Sequence, residues 1–242
     1  MQDYGPETYG DRIASRYDSL YESELDTDAA VEALARLAGS GPVLELAIGT
    51  GRLAIPLAQR GIDVRGIDAS EAMVARMRAK PGGEDIPVAM GDFADVGVEG
   101  SFSLVYVAFN TIFALLSQDD QMRCFANVAE HLAEGGRFVV EAFVPDLKRF
   151  DRGQRVGVTA VRLDQVEFEV SRHDAVNQRV DSQHVFVTDG GTQLAPVSLR
   201  YAFPSELDLM ARISSLELKD RWGGWKGEPF TNASTDHVSV YG

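Results

Sequence analysis

Short apolar runs alternate with amphipathic stretches through residues 41–150, and this alternation is the main structural signal in the chain. The runs at 43–47, 62–67, 86–90, 102–107 and 137–143 have the length of strands, and most read as strands buried on both faces. The segments between them carry helix signals. One helix follows the first run and ends at Gly61, and the next is capped by Ser70 and broken by Pro81-Gly82. A third starts at Ser117, has Asp120 at the capping-box spacing and stops at Gly135-Gly136. Upstream, Asp26 or Thr27 opens a helix that carries Val31, Leu34 and Leu37 and stops at Gly39. Before it, Tyr9, Ile13, Tyr17 and Leu20/Tyr21 form one helical stripe across residues 7–22. Five strand-and-helix alternations predict an α/β fold with a doubly wound, Rossmann-like parallel sheet.

After residue 150 the pattern changes. Segments 156–161, 166–172, 180–187 and 193–201 read as strands joined by short turns such as Asp189-Gly190-Gly191, which predicts an inserted antiparallel sheet. Pro204-Ser205-Glu206 opens a short helix through Met210, and two closing strands follow at 215–221 and 237–241. The expected division is a helical lid over 1–40, an α/β core over 41–150, the insert over 151–203 and a closing helix and strands over 204–242.

Charge narrows the partners. Among 242 residues, 23 Lys and Arg face 37 Asp and Glu, a formal net charge of −14. So acidic a chain is repelled by phosphate backbones and anionic lipid, so neither nucleic acid nor a membrane is expected as partner. The uncharged stretch 100–118 is broken by serines, Asn110 and Thr111, far short of the ~20 apolar residues of a spanning helix. The first residues, Met1-Gln2-Asp3-Tyr4, do not read as a signal peptide. The single cysteine, Cys124, excludes an intrachain disulfide and suits a reducing, cytoplasmic setting.

The candidate chemistry lies at the ends of the first three core strands. Glu45-Leu46-Ala47-Ile48-Gly49-Thr50-Gly51 leaves the first strand through two glycines, which let a ligand approach the backbone closely. Asp68 follows Gly51 by 17 residues, where a carboxylate can accept from both hydroxyls of a ribose. Asp92-Phe93 supplies an acceptor for an exocyclic amine and a flat apolar face for a purine. The glycines also fit the G-x-G-x-x-A fingerprint of dinucleotide enzymes, and a purely structural turn is a third reading. Two features favour the first: Glu45 stands inside the strand, where a nicotinamide enzyme usually has an apolar residue, and Asp92-Phe93 answers to an adenine. No Tyr-x-x-x-Lys pair is present for hydride chemistry.

On these residues, with Gly66-Ile67-Asp68-Ala69-Ser70 and Glu134-Gly135-Gly136, the chain resembles class I S-adenosylmethionine-dependent methyltransferases over essentially its whole length. The resemblance implies that Glu45 and the Gly49/Gly51 loop hold the methionine part, Asp68 the ribose, and Asp92 and Phe93 the adenine, with Met73 packed on the purine. Ala47, where the family often has Gly, and Ala69 belong to the same cofactor-binding set. The implied cofactor is S-adenosyl-L-methionine. The N-terminal tyrosines, the insert and the tail from Trp222-Gly223-Gly224-Trp225 to Tyr241 are similar to small-molecule N-methyltransferases of antibiotic biosynthesis, of the amino-sugar and lincosamide types.

Tyr9 and Tyr17, eight residues apart, are either helix packing or lid residues that place hydroxyls at the methionine end of the cofactor and at the acceptor amine. Asn110, Thr111 and Phe113 follow the fourth strand, and Phe113 is either core or acceptor-pocket wall. Tyr9, Tyr17 and Phe113 are thus the catalytic candidates. His131, His173, His184 and His237 show no metal spacing and read as structural or solvated, although His173 sits where a substrate could be reached. Glu141 reads as a satisfied polar group, the Trp pair as packing, and Glu22-Ser23-Glu24-Leu25-Asp26 as a solvated turn. Without an evident His–Asp or His–Glu base or metal ligands, an amine acceptor is expected over an alcohol or catechol. An O-methyltransferase, a nicotinamide-dependent oxidoreductase and a non-catalytic cofactor-binding module are the alternatives. The exposed insert suggests a homo-oligomer.

Overall fold

The structure is a computed structural model that describes residues 1, 4–21 and 26–242. The acidic stretch 22–25 lies outside the described residues. Seven strands form one sheet in the order β10-β11-β5-β4-β1-β2-β3. Here β1 is Val43–Leu46, β2 Val64–Asp68, β3 Val88–Met90, β4 Phe102–Val107, β5 Leu132–Phe143, β10 Leu218–Trp222 and β11 Asp236–Tyr241. The five central strands pair in parallel, whereas β11 runs antiparallel between β5 and β10. Every residue of β1, and all but one of β4, is buried, because helices cover both faces of the sheet.

On one face α3 (Thr27–Ala38) and α4 (Ala54–Gln59) pack Val31, Leu34 and Leu57 onto the sheet. On the other, α6 (Gln118–His131) and α7 (Pro204–Ile213) pack Phe125, Val128, Leu207 and Met210. Cys124 is buried in that second core. The caps fall where the sequence signals them: Asp26 accepts from Ala29 N, Ser70 from Met73 N at the start of α5 (Glu71–Arg78), and Ser117 from Asp120 N. The insert is a separate four-stranded antiparallel sheet in the order β6-β7-β8-β9, spanning Gln154–Val161, Gln165–Asp174, Arg179–Thr188 and Gly191–Arg200. No helix among the described residues is long and apolar enough to cross a membrane.

Several strand ends move by two to five residues from the sequence reading, among them β5, which starts at Leu132, and β10, which starts at Leu218, and three further differences involve the helices. The stripe over 7–22 is two helices, α1 (Thr8–Ile13) and α2 (Tyr17–Tyr21), separated by a turn, so Tyr9 and Tyr17 do not share one helix face. Gly135-Gly136 does not stop α6, which ends at His131 with the ring Nδ1 against Asn127 O at 2.7 Å. Instead Gly135, at φ +73°, lies in an irregularity of β5, where the pairing shifts from Phe102↔Leu132 to Leu104↔Arg137. Finally, α7 continues to Ile213, one turn past Met210.

A third, small core joins the N-terminal helices to the rest. Ile13 and Ala14 pack with Met73 of α5 and with Phe186 and Ala195 of the insert. The Arg16 guanidinium lies 4.4 Å above the Phe186 ring and donates to Gln193 Oε1 at 2.5 Å. The lid, the core and the insert therefore meet above the carboxyl ends of β1, β2 and β4, which is where open α/β sheets bind ligands.

Candidate active site

A cavity of about 300 Å³ lies at that meeting point. Its floor begins with the turn after β1. Ala47 adopts φ +56° and Gly49 φ +58°, folding the backbone tightly beneath the cavity. A left-handed conformation costs an L-residue about 1–2 kcal/mol, so Ala47 holds strain that glycine would not. Gly51, at φ +76°, does not line the cavity. A Cβ there would stand 2.5 Å from Met77 Cγ and 3.0 Å from Ile55, so this glycine serves the packing of the turn against the core rather than ligand contact.

Asp68 closes the next strand. Its Oδ2 accepts from Gly49 N at 2.7 Å and its Oδ1 from Ser70 N at 2.8 Å, which fixes the carboxylate while leaving further lone pairs toward the cavity. Burial raises its pKa above the usual carboxylate range, with these backbone bonds opposing. Glu45 is more extreme: it is 5% exposed, and burial pushes its pKa up to about 8. Among the described residues its Oε2 makes no hydrogen bond of ordinary geometry, and the Tyr106 hydroxyl at the paired position of β4 stands near it and opposes the rise. A buried, unpartnered acceptor on a cavity wall calls for a donor from a ligand.

The remaining expected residues divide cleanly. Tyr9, Tyr17, Ala47, Ala69, Met73, Asp92 and Phe93 all line the cavity. Asp92 Oδ1 accepts from Ala94 N at 2.9 Å, which holds the short turn that presents Phe93. Phe113 corrects the expectation: it is 0% exposed and lies behind the wall, its ring 4.8 Å from Phe143 in an edge contact. Phe143 and Ala114 stand on the wall in its place. His173 does not reach this cavity, because its Nε2 is 3.0 Å from the Tyr201 hydroxyl and its ring stacks on Phe150. His237 is wholly buried with Nδ1 on Ser239 Oγ, and burial lowers its pKa to about 4, so it stays neutral.

The N-terminal helices are tied to the turns after β1 and β2 by polar contacts. Ser70 Oγ donates to Asp11 Oδ1 at 2.6 Å, and Gly10 sits so close to Ser70 that an added Cβ would come within 2.6 Å of it. Thr50 Oγ1 donates to Asp18 Oδ1 at 2.6 Å, and Lys80 Nζ bridges Asp18 and the Thr50 carbonyl, each at 2.8 Å. Inside the lid the Tyr9 and Tyr21 hydroxyls are 2.9 Å apart. Tyr21 also meets the ring of Tyr17 at 5.0 Å and that of Phe109 at 4.9 Å. Burial raises the pKa of both Tyr9 and Tyr17, so these phenols stay protonated.

Sequence reasoning missed the wall residues that come from afar. The insert contributes His184, Val197, Ser198 and Leu199, and the turn after β4 contributes Phe109. The available signal was strand alternation, which puts Ser182, His184 and Phe186 on one face of β8. A side chamber of about 200 Å³ shares Phe143, His184, Val197 and Leu199 with the main cavity and extends to Arg149, Glu169 and Tyr201. A larger, more open cleft of about 970 Å³ lies between the β7–β8 turn and the start of α6, and no expected site residue except His173 lines it.

Two comparisons fix the family. Residues 43–136 match the methyltransferase domain model. The CcbJ methyltransferase from Streptomyces caelestis is 39% identical and superposes with a TM-score of 0.91, covering 98% of each chain. The chain belongs to the S-adenosylmethionine-dependent methyltransferases. The cypemycin N-terminal methyltransferase from a Streptomyces species is 28% identical over 241 residues, 97% of each protein. An amino pentose methyltransferase from Micromonospora echinaspora, solved with S-adenosylmethionine bound, shares the fold at TM-score 0.70 and 20% identity, covering 93% of this chain and 95% of that one. This membership decides against a nicotinamide enzyme, whose glycine fingerprint the turn also fits. S-adenosylmethionine is the cofactor, and the residues present fit it. The orphaned Glu45 oxygen suits the methionine ammonium, the fixed Asp68 carboxylate suits a ribose diol, and Asp92 with Phe93 suits adenine.

Proposed function

We propose that this methyltransferase acts on an amine nitrogen of a small secondary metabolite, at a late step in the assembly of an antibiotic. One observation carries the reading: the acceptor side of the cavity is walled by protonated tyrosines and apolar rings. The sulfonium of S-adenosylmethionine supplies a methyl group already activated for displacement. What the protein must add is alignment, which in favourable cases lowers a barrier by ~7–11 kcal/mol. An amine also has to arrive neutral, and a desolvated, aromatic pocket lowers an ammonium pKa and selects that form. Tyr9 and Tyr17 keep their phenolic protons, so their oxygens accept from the amine N–H groups and orient the lone pair. The contacts of Asp11 with Ser70 and of Asp18 with Thr50 hold α1 and α2 over the cavity. The side chamber gives room for the part of the acceptor remote from its nitrogen.

The name of the cypemycin relative and the likeness to lincosamide and amino-sugar N-methyltransferases support nitrogen as the acceptor. An O-methyl reading has one observation in its favour: His184 stands on the wall, 4.0 Å from Glu169, a base for an alcohol within reach. A screen pairing cyclic secondary amines, amino sugars and peptide N-termini with their hydroxyl counterparts separates the two, read as a one-methyl mass gain with S-adenosylhomocysteine release. Methylation of hydroxyls alone would overturn the proposal. With an amine acceptor, Tyr17→Phe lowers turnover, and an unchanged rate would remove Tyr17 from the chemistry. His184→Gln should then cost little, whereas an alcohol acceptor would lose the ~10²–10⁴-fold that a general base contributes.

A further inference from the structure

We propose that Glu141, on β5 and outside the cavity wall, is a positioning residue that fixes the acceptor side of the site through Phe109. The observation behind it is a pair of consecutive left-handed residues at the end of β4, Phe109 at φ +54° and Asn110 at φ +65°. Asparagine tolerates this region, but a bulky aromatic residue rarely enters it. Such a conformation persists only where its surroundings over-determine it. Here Glu141 Oε2 accepts from Phe109 N at 2.7 Å, and its Oε1 accepts from Trp225 Nε1 at 2.6 Å. Asn110 is held separately, donating from its backbone N to the Glu141 carbonyl at 3.1 Å and accepting on Oδ1 from Phe143 N at 2.6 Å.

The consequence reaches the lid. Phe109, Asn110 and Phe143 line the cavity, and the Phe109 ring meets Tyr21, whose hydroxyl bonds that of Tyr9. The carboxylate sets the Phe109 backbone, the backbone aims the ring, and the ring seats the lid tyrosines. A carboxylate is needed because two N–H donors converge on it. An amide has one acceptor oxygen and must turn its NH₂ toward one of them. Trp225, from the segment between β10 and β11, occupies the second carboxylate oxygen and leaves Oε2 to Phe109 N.

The test compares Glu141→Gln, Trp225→Phe and the double variant with the unaltered protein. Hydrogen exchange over the segment that contains Phe109 and Asn110 reads the backbone, S-adenosylhomocysteine titration reads the cofactor half, and acceptor kcat and KM read the outcome. Glu141→Gln should speed exchange at Phe109 at least tenfold and lower acceptor kcat/KM by about tenfold or more, since small misplacements of a reacting group are costly. Its S-adenosylhomocysteine affinity should stay within about twofold. Trp225→Phe should leave Phe109 exchange unchanged. The double variant should recover most of the loss, because removing the indole N–H frees the glutamine to turn its oxygen to Phe109 N. Unchanged exchange in Glu141→Gln overturns the proposal. So does equal loss of cofactor affinity and melting temperature without recovery in the double variant, which would make Glu141 a general structural group. The inference rests on the methyltransferase assignment and not on the amine. If no amine is turned over by any form, the amine reading fails while the exchange comparison still decides this one.

Discussion

Glu45 should give cofactor binding a pH dependence of definite sign. Its pKa is pushed up to about 8, chiefly by burial, with the Tyr106 hydroxyl and Arg52 opposing the rise and the nearby Asp68 adding to it. At pH 7 the group is about one unit below its pKa, so roughly nine-tenths of it is protonated in the free protein. A methionine ammonium requires the charged form opposite it, and binding must therefore drive a proton off Glu45. Because only the ionised fraction is competent, apparent affinity for S-adenosylhomocysteine should rise roughly tenfold per pH unit up to about pH 8 and then level. Each unit corresponds to about 1.4 kcal/mol. Titration calorimetry at pH 7 in two buffers of different ionisation enthalpy should show about 0.9 proton released per site. The free protein should behave oppositely. An acid whose pKa rises on folding from its ordinary 4.5 stabilises the fold fully below that value and loses the contribution as pH climbs toward about 8. Glu45→Gln should abolish the proton release and both pH trends, and should bind more weakly above pH 8. A flat affinity from pH 6 to 8 with no proton exchanged would refute the placement of a cation against Glu45.

Three further outcomes follow from the turn and the lid. Ala47→Gly relieves about 1–2 kcal/mol of left-handed strain against ~0.4–1 kcal/mol of added chain entropy in the unfolded state; the variant should melt up to a few degrees higher, and a lower Tm would show that the turn is unstrained. Gly49→Ala, at φ +58°, meets only the Ala47 carbonyl oxygen at an ordinary 3.9 Å and should lose only ~1–2 kcal/mol, whereas Gly51→Ala also drives a Cβ onto Met77 and Ile55 and should lose ~1–3 kcal/mol more; equal denaturant midpoints would contradict the packing role of Gly51. Asp18→Ala removes the bonds from Thr50 and Lys80 that hold α2 to the cofactor turn, so cofactor dissociation, followed by stopped flow, should quicken roughly 3–30-fold while Tm moves little; an unchanged rate would mean that α2 does not govern release.

Much of this protein could be read along the chain because its signals are local. Continuous apolar runs mark strands that lie under helices on both faces, so β1 to β5 were visible as a series. Ser70, Ser117 and Asp26 announce helix starts through bonds that span only a few residues. Glu45, Ala47, Gly49, Asp68, Asp92 and Phe93 sit at strand ends, and a parallel sheet brings successive strand ends to one edge whatever else the chain does.

Other features depended on contacts between distant segments, which no local pattern records. Tyr9 and Tyr17 reach one cavity from two helices, held there by Asp11 on Ser70 and Asp18 on Thr50 rather than by helical spacing. Phe113 has the type and position of a pocket residue, but the turn after β4 rotates it inward, and Phe143 from the next strand takes the wall. Gly135-Gly136 has the look of a helix stop, yet pairing with β4 draws those residues into β5. Glu141, read as a merely satisfied group, gains its meaning from Phe109 and from Trp225, 84 residues away in the chain. Sequence alone determined the sheet and the strand-end edge that carries Glu45, Asp68 and Asp92, because backbone geometry and burial act over short spans. Tertiary structure decided the opposite wall of the cavity, because that wall is assembled from four separate parts of the chain that only packing brings together.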